Sequence, residues 1–161
     1  MPGMSLKTIV SIAAVAAGLS LATAASAAVT FGGPDGWSHT GAPSSDGTHK
    51  FDQWKLGGDP PQTVTVIQDS GTTYADSLAA VKKNFADNHI RPGIDKDQTC
   101  LGRPSHDVEY TVGPEGHQIV VNRLIVPDGT GVVTVTYARG EKDDPDKDVQ
   151  TAMKNFCAQP G

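Results

Sequence analysis

Two short segments early in the chain have the alternation of apolar and polar residues that is typical of β-strands. His49–Leu56 alternates around Phe51 and Trp54, and Gln62–Gln68 (QTVTVIQ) is rich in β-branched residues. The segment GGDPP, which lies between them, has the composition of a turn. The pattern therefore predicts two neighbouring antiparallel strands.

A second group of strands is predicted nearer the C-terminus. Residues 108–112 alternate, residues 119–126 form a nearly continuous apolar run, and residues 132–138 follow a turn at 127–131. A turn at 113–116 sets the expected pairing of the first two: Val112 with His117, Tyr110 with Ile119, and Val108 with Val121. The middle strand is apolar on both faces, so we expect both sides of the sheet to be covered.

Two amphipathic helices complete the pattern. The first is predicted over 74–89, is capped by Thr72 or Thr73, and has its apolar face formed by Tyr74, Leu78, Val81 and Phe85. The second follows the acidic run 141–148, with Asp144 as N-cap and Pro145 as first helical residue. Its apolar stripe consists of Val149, Met153 and Phe156. The predicted fold class is α+β, an antiparallel β-sheet flanked by helices.

The N-terminal 27 residues have the composition of a signal peptide. Lys7 precedes an apolar run that ends in small residues, and Ala25-Ser26-Ala27 fits a signal-peptidase cleavage site. The run is too short to span a bilayer comfortably. We expect cleavage after Ala27, a single domain over 28–161 with no integral membrane segment after processing, and a location in the periplasm or outside the cell; an N-terminal membrane anchor is the alternative.

The chain has two cysteines, Cys100 and Cys157. In an exported protein, such a pair predicts a disulfide bond, which here would close a long loop and stabilise the fold by about 4 kcal/mol on the chain-entropy model. The alternative is a reactive thiol, but no Cys-x-x-Cys spacing is present.

Charge argues against one class of partner. Lysine and arginine number 13 against 18 acidic residues, a formal net charge of −5. Nucleic-acid binding draws its energy from basic side chains that neutralise phosphates, so we expect no nucleic-acid partner.

Catalytic, metal and cofactor motifs are not evident in the sequence. None of the motifs for nucleotide binding, serine hydrolysis or zinc proteolysis occurs, and no pair among the five histidines has a close metal-ligand spacing: His39, His49, His89, His106 and His117. The acidic run at 143–148 lacks the glycine and the terminal glutamate of a calcium loop, so a solvated helix start explains it better. His106, Asp107 and Glu109 could be considered as an acid–base group. However, His106 and Asp107 are adjacent on a strand and therefore point to opposite faces of the sheet. We therefore predict no catalytic residues, no metal ligands and no cofactor.

Two features could belong to a binding surface. Trp37, Trp54 and Phe51 could form an exposed patch, although large rings are needed first for the core. Asn122 and Arg123 interrupt an apolar strand. Either they face an incompletely covered part of the sheet, or they form local hydrogen bonds, which is the commoner outcome for buried polar groups.

Several segments resemble the PsbP-like superfamily in order and spacing. These are Phe31–Trp37 with its Pro-x-Gly-Trp entry, the helix 74–85, Leu101-Gly-Arg-Pro104 followed by Val108-Glu-Tyr110, the strand 132–137, and a last helix ending in Asn155-Phe156. The resemblance implies an α/β/α sandwich around an antiparallel sheet and a non-catalytic, protein-binding role. The chain departs from the pattern in its cysteine pair and in a polar insertion at 41–49, and no partner-binding residue is transferred.

The sequence thus favours an exported, non-enzymatic accessory or binding protein that recognises a protein or cell-envelope component. Two alternatives are a small periplasmic or secreted hydrolase with an unrecognised site and a small-ligand carrier. A deep pocket with converging titratable groups would favour the hydrolase, an apolar pocket the carrier, and a flat surface the binding protein.

Overall fold

The structure is a computed structural model that describes residues 29–41 and 44–161. The predicted signal peptide, residues 1–27, lies outside the described residues. The strands are β1 Ser38–His39, β2 Ser44–Ser45, β3 His49–Leu56, β4 Gln62–Asp69, β5 Ile94–Cys100, β6 Arg103–Val112, β7 Ile119–Asp128 and β8 Gly131–Gly140, and the helices are α1 Tyr74–Asp87 and α2 Lys147–Cys157.

The described strands form one antiparallel sheet in the order β1-β3-β4-β8-β7-β6-β5, and β2 also pairs with β3. The prediction of an α+β fold built on an antiparallel sheet is confirmed. The sequence pattern did not predict β5 (IDKDQTC) because this edge strand is mostly polar. It also did not predict the pairing of β4 with β8, which are far apart in the chain.

The predicted register of the β6–β7 hairpin was wrong by two residues. Val112 pairs with Ile119, Tyr110 with Val121, and Val108 with Arg123. The connection is longer than expected, and residues 113–118 lie outside the ladder. A shift of two residues keeps every side chain on its predicted face, so the apolar pattern alone could not distinguish the two registers.

The two helices belong to separate apolar clusters. Val149 and Phe156 of α2 pack with Leu124 and Val126 of β7 and with the entry residues Val29, Phe31 and Trp37. Val81 and Phe85 of α1 pack with Ile125 of β7 and with Val108 and Tyr110 of β6. Alternate residues of a strand point to opposite faces, so we refer to the α2 face and the α1 face of the sheet.

The start of α2 differs from the prediction. Asp146, not Asp144, is the N-cap, and its carboxylate accepts hydrogen bonds from the amides of Asp148 and Val149. At its other end, the predicted disulfide is confirmed: Cys157 is bonded to Cys100 at the end of β5, with an S–S distance of 2.05 Å. In residues 29–41 and 44–161, no helix combines the length and apolar character that crossing a bilayer requires.

Candidate binding surface

Helix α1 covers only part of its face of the sheet. Its apolar residues pack on β6, on β7 and, in β8, on Val132 near the start of the strand. β3 and β4 carry no residue in this cluster. On this face of the sheet, β3 and β4 therefore lie outside the apolar footprint of α1, and in β8 the footprint includes Val132.

We call this region the open face. Register and alternation place its residues in three cross-strand rows: Phe51, Ile67 and Thr134; Gln53, Thr65 and Thr136; Lys55, Thr63 and Ala138. Threonine is common on solvent-facing sheet surfaces because it is polar and β-branched. Most of the open face is therefore an ordinary hydrated sheet surface, and two features depart from that description.

The first is a pair of exposed apolar side chains. Phe51 and Ile67 are direct cross-strand partners, with 40% and 36% of their surface accessible. They are the large apolar residues classed as exposed in the described part of the chain. Phe51 is the one member of the predicted aromatic patch that is exposed, since Trp37 and Trp54 are buried in the α2-face cluster.

The second is Arg123 at the border between the α1 footprint and the open face. It lies on β7 between Val108 of β6 and Thr136 of β8. Its Nε atom is buried and has no hydrogen-bond partner among the described residues. Its neighbour Asn122, on the α2 face, donates to the Asp107 carboxylate at 3.0 Å. The sequence left two alternatives for this pair, and each describes one residue. Asn122 forms a local hydrogen bond, and Arg123 faces an incompletely covered part of the sheet.

A shallow groove of about 240 Å³ lies beside the entry segment. Its lining is mainly apolar and includes Phe31, Phe51, Trp54 and Val66. The His39 imidazole forms a close hydrogen bond with the Asp52 carboxylate at this edge of the sheet. The groove can accommodate a small apolar group, but its lining brings no pair of candidate catalytic side chains together.

The acid–base candidates of the sequence are divided between the two faces. On the α1 face, His106 is held between two carboxylates, with Nδ1 2.8 Å from Asp97 and Nε2 2.6 Å from Asp95. On the other face, Glu109 lies 3.8 Å from the Arg139 guanidinium. Both ring nitrogens of His106 contact carboxylates on the α1 face, so His106 and Glu109 do not lie together in one site.

Tyr74 begins α1 next to the His106 cluster. Partial burial raises the pKa of its hydroxyl, and the nearby negative charge of Asp97 raises it further. Tyr74 therefore stays neutral at physiological pH and cannot serve as a base there.

His49 forms a second histidine–carboxylate cluster, at the start of β3. Its Nδ1 lies 3.0 Å from Asp46, and its Nε2 lies 3.5 Å from Asp69. The hydrogen bond from the His49 ring to the Asp46 carboxylate, together with the negative charge of Asp46, raises the pKa of His49. In return, the His49 backbone amide is the main cause of the lowered pKa of Asp46, and a hydrogen bond from Thr72 is the main cause of the lowered pKa of Asp69. The cluster fixes the end of the polar insertion against β4.

The acidic run before α2 has structural roles. Asp146 caps the helix, and Asp143 accepts a hydrogen bond from the Gly140 amide at 3.1 Å. No set of three or more His, Cys, Asp and Glu side chains in 29–41 and 44–161 is arranged to hold a metal ion.

Comparisons with other proteins add information on the fold. No protein-family model matches the chain, and no curated protein matches it. Among solved structures, it is similar to a Pseudomonas aeruginosa protein of unknown function, PA94, which has been suggested to be a regulator. The TM-score is 0.56 at 16% sequence identity, over 80% of this chain and 88% of the other. At this identity the similarity shows a shared fold.

Proposed function

We propose that this protein is an exported, non-enzymatic accessory protein that binds a protein partner of the cell envelope or extracellular space through the open face. The observation that carries the proposal is the Phe51–Ile67 pair, exposed on a sheet surface that α1 leaves uncovered. Apolar side chains that are contiguous on the surface and surrounded by polar ones mark interaction sites, whereas single exposed ones do not. The strands beneath them are continuously paired from β3 to β7, so the surface is rigid before binding.

Export is supported by the disulfide and by the predicted signal peptide. Bonds such as Cys100–Cys157 persist in oxidising compartments and are rare in the cytosol. The bond joins the last helix to an edge strand, so it fastens α2 to the sheet. Both cysteines of the chain are therefore in a structural disulfide bond, and neither is a free thiol.

We further propose that the chain is a small exported member of the PsbP-like superfamily. The support is the packing of one helix on each face of an antiparallel sheet, which is the α/β/α arrangement that the resemblance implies. Two resemblance residues have structural roles here: Trp37 packs edge-on against Tyr137, and Arg103 donates to the Pro127 carbonyl at 2.8 Å.

The test is affinity capture from an envelope extract with the immobilised wild-type protein and with the double variant Phe51→Thr/Ile67→Thr. Threonine preserves the β-propensity of the strands and matches the residues around it. We expect the double variant to retain at least about tenfold less of the specific partner, because two buried apolar anchors are lost from the interface. Gln150→Ala, on the exposed side of α2, is the matched control and should bind like wild type.

Thermal unfolding checks that all three proteins are folded. Equal retention by wild type and the double variant would contradict the proposed surface. Turnover of ester, amide or phosphate substrates by the wild type would favour the hydrolase.

The groove beside the entry segment favours a second candidate, a small-ligand carrier. Its lining by Phe31, Phe51 and Trp54 suits an apolar group. Binding of a fluorescent apolar probe that is lost in Trp54→Ala but retained in Ile67→Thr would favour this function over partner docking on the open face.

A further inference from the structure

We propose that Arg123 is a carboxylate-binding residue and that the partner segment docking on the open face is acidic. The inference rests on the proposed function and specifies the chemistry of the partner. Arg123 differs from the two other half-buried arginines of the sheet. Arg103 and Arg139 donate to backbone carbonyls at 2.8 and 3.1 Å and also face carboxylates.

Arg123 has no comparable partner in the part of the chain that the structure describes. A guanidinium has five donors in a planar fork that matches a carboxylate, and its desolvation is costly unless it is paired. The buried Nε is not accessible to a ligand, so a carboxylate brought by a partner would pair with the terminal amino groups of the fork. Thr136, the direct cross-strand neighbour of Arg123, forms no side-chain hydrogen bond with another described residue, so its hydroxyl is a second available donor.

The charge of the open face complements an acidic segment. The whole chain has a formal charge of −5, whereas the rows of the open face carry Lys55 and border Arg123. Lys55 forms no ion pair with a described residue. The carboxylates on this face of β4 and β5 contact histidines: Asp69 contacts His49, and Asp95 and Asp97 contact His106, two strands away from Arg123. Lys55 on β3 and Arg123 on β7 thus place two basic side chains without an ion-pair partner among the described residues at opposite sides of the open face of an acidic protein.

The apolar pair explains why the ligand is a segment and not a small anion. Ile67 lies two strands and two residues away from Arg123 in the register. With strands about 4.8 Å apart and about 3.3 Å per residue, the two Cα atoms are about 12 Å apart. One ligand contacting both sites needs a carboxylate and an apolar side chain at about that separation, which a protein segment of four or five residues provides.

The test uses three acetylated and amidated peptides in which one leucine and one variable residue are separated by three serines. The variable residue is Glu, Gln or Lys, and sodium acetate is a fourth probe. Each probe is titrated into the ¹⁵N-labelled protein while amide chemical shifts are recorded. The protein is expressed from its full sequence. We expect the Glu peptide to shift the amides of Thr65, Thr136 and Ile67, with the Gln peptide binding on the order of tenfold more weakly because the charge-assisted hydrogen bonds are lost.

Arg123→Met should abolish the preference for Glu over Gln, and Arg123→Lys should keep part of it. Methionine preserves the length of the side chain without its charge, and Lys preserves the charge without the fork. Gln150→Ala is the control. The amide spectrum of each variant is compared with that of the wild type to check that it is folded. If Arg123→Met does not fold, the preference for Glu over Gln is compared between wild type and Arg123→Lys, and an unchanged preference would contradict the role of the guanidinium.

Equal shifts with the Glu and Gln peptides would overturn the inference while supporting a docking role for the open face. Equal affinity for acetate and the Glu peptide would reduce the site to a simple anion site and overturn the acidic segment as ligand. No shift on the open face with any peptide would also overturn the inference. In each case the capture experiment with Phe51→Thr/Ile67→Thr decides the proposed function separately.

Discussion

Asn122 and Arg123 are adjacent in the chain but face opposite sides of the sheet. Asn122 finds Asp107 as a partner across the strands, whereas Arg123 points to the face that α1 only partly covers. From the sequence, both residues were equally unusual in an apolar strand. The difference depends on where a helix packs, which the local pattern does not contain.

The pKa of His49 is shifted in the folded protein, and this shift can be measured directly. We expect an NMR titration of its ring protons to give a pKa above 6.5, because Asp46 stabilises the imidazolium. The pKa of His49 is therefore higher in the folded state than in the unfolded state. Its contribution to stability is therefore fully present below pH 6.5 and is lost as the pH rises through the folded value.

The carboxylates of the same cluster act in the opposite direction. The pKa values of Asp46 and Asp69 are lowered, so their contributions are present above about pH 3.8 and are lost as the pH falls through the folded values. The start of β3 should be most stable between these limits. Asp46→Asn should move the pKa of His49 back toward 6.5; a wild-type value at or below 6.5 would refute this description of the cluster.

Among the secondary-structure elements, the helices and inner strands were predictable because their apolar periodicity is strong. α1 begins at Tyr74, with the Thr73 hydroxyl accepting a hydrogen bond from the Asp76 amide. The β6–β7 register and the N-cap of α2 were not predictable, because in each case two solutions satisfied the same pattern. Three aspartates, Asp143, Asp144 and Asp146, lie within the six residues before α2, and only the geometry selects Asp146.

The N-cap assignment can be tested with a matched pair of variants. Asp146→Ala should lower the free energy of unfolding by about 1 kcal/mol, because two amides of the first turn lose their acceptor. Asp144→Ala removes an exposed charge and should change it by less than about 0.5 kcal/mol. Urea denaturation of both variants measures the difference. A larger loss for Asp144→Ala would restore the N-cap expected from the sequence.

For the molecule as a whole, the main property is unequal cover of the two sheet faces. The α2 face is covered by α2 and the entry segment, with Phe31 packing against both Trp54 and Phe156. The α1 face has a single helix over part of its width. The apolar run of β7 predicted cover on both sides of the sheet, and Leu124 and Ile125 of this strand belong to the two separate apolar clusters. It held no information on β3 and β4, where the candidate surface lies.

The most direct measurement is site-specific photo-cross-linking in the producing cells. A benzophenone amino acid replaces Ile67 in one protein and Gln150 in a second. We predict that position 67 gives an adduct with a discrete protein, and that this adduct is absent from position 150, because only the open face contacts the partner. The same adducts from both positions, or only non-protein adducts from position 67, would contradict the assignment of the open face as a protein-docking surface.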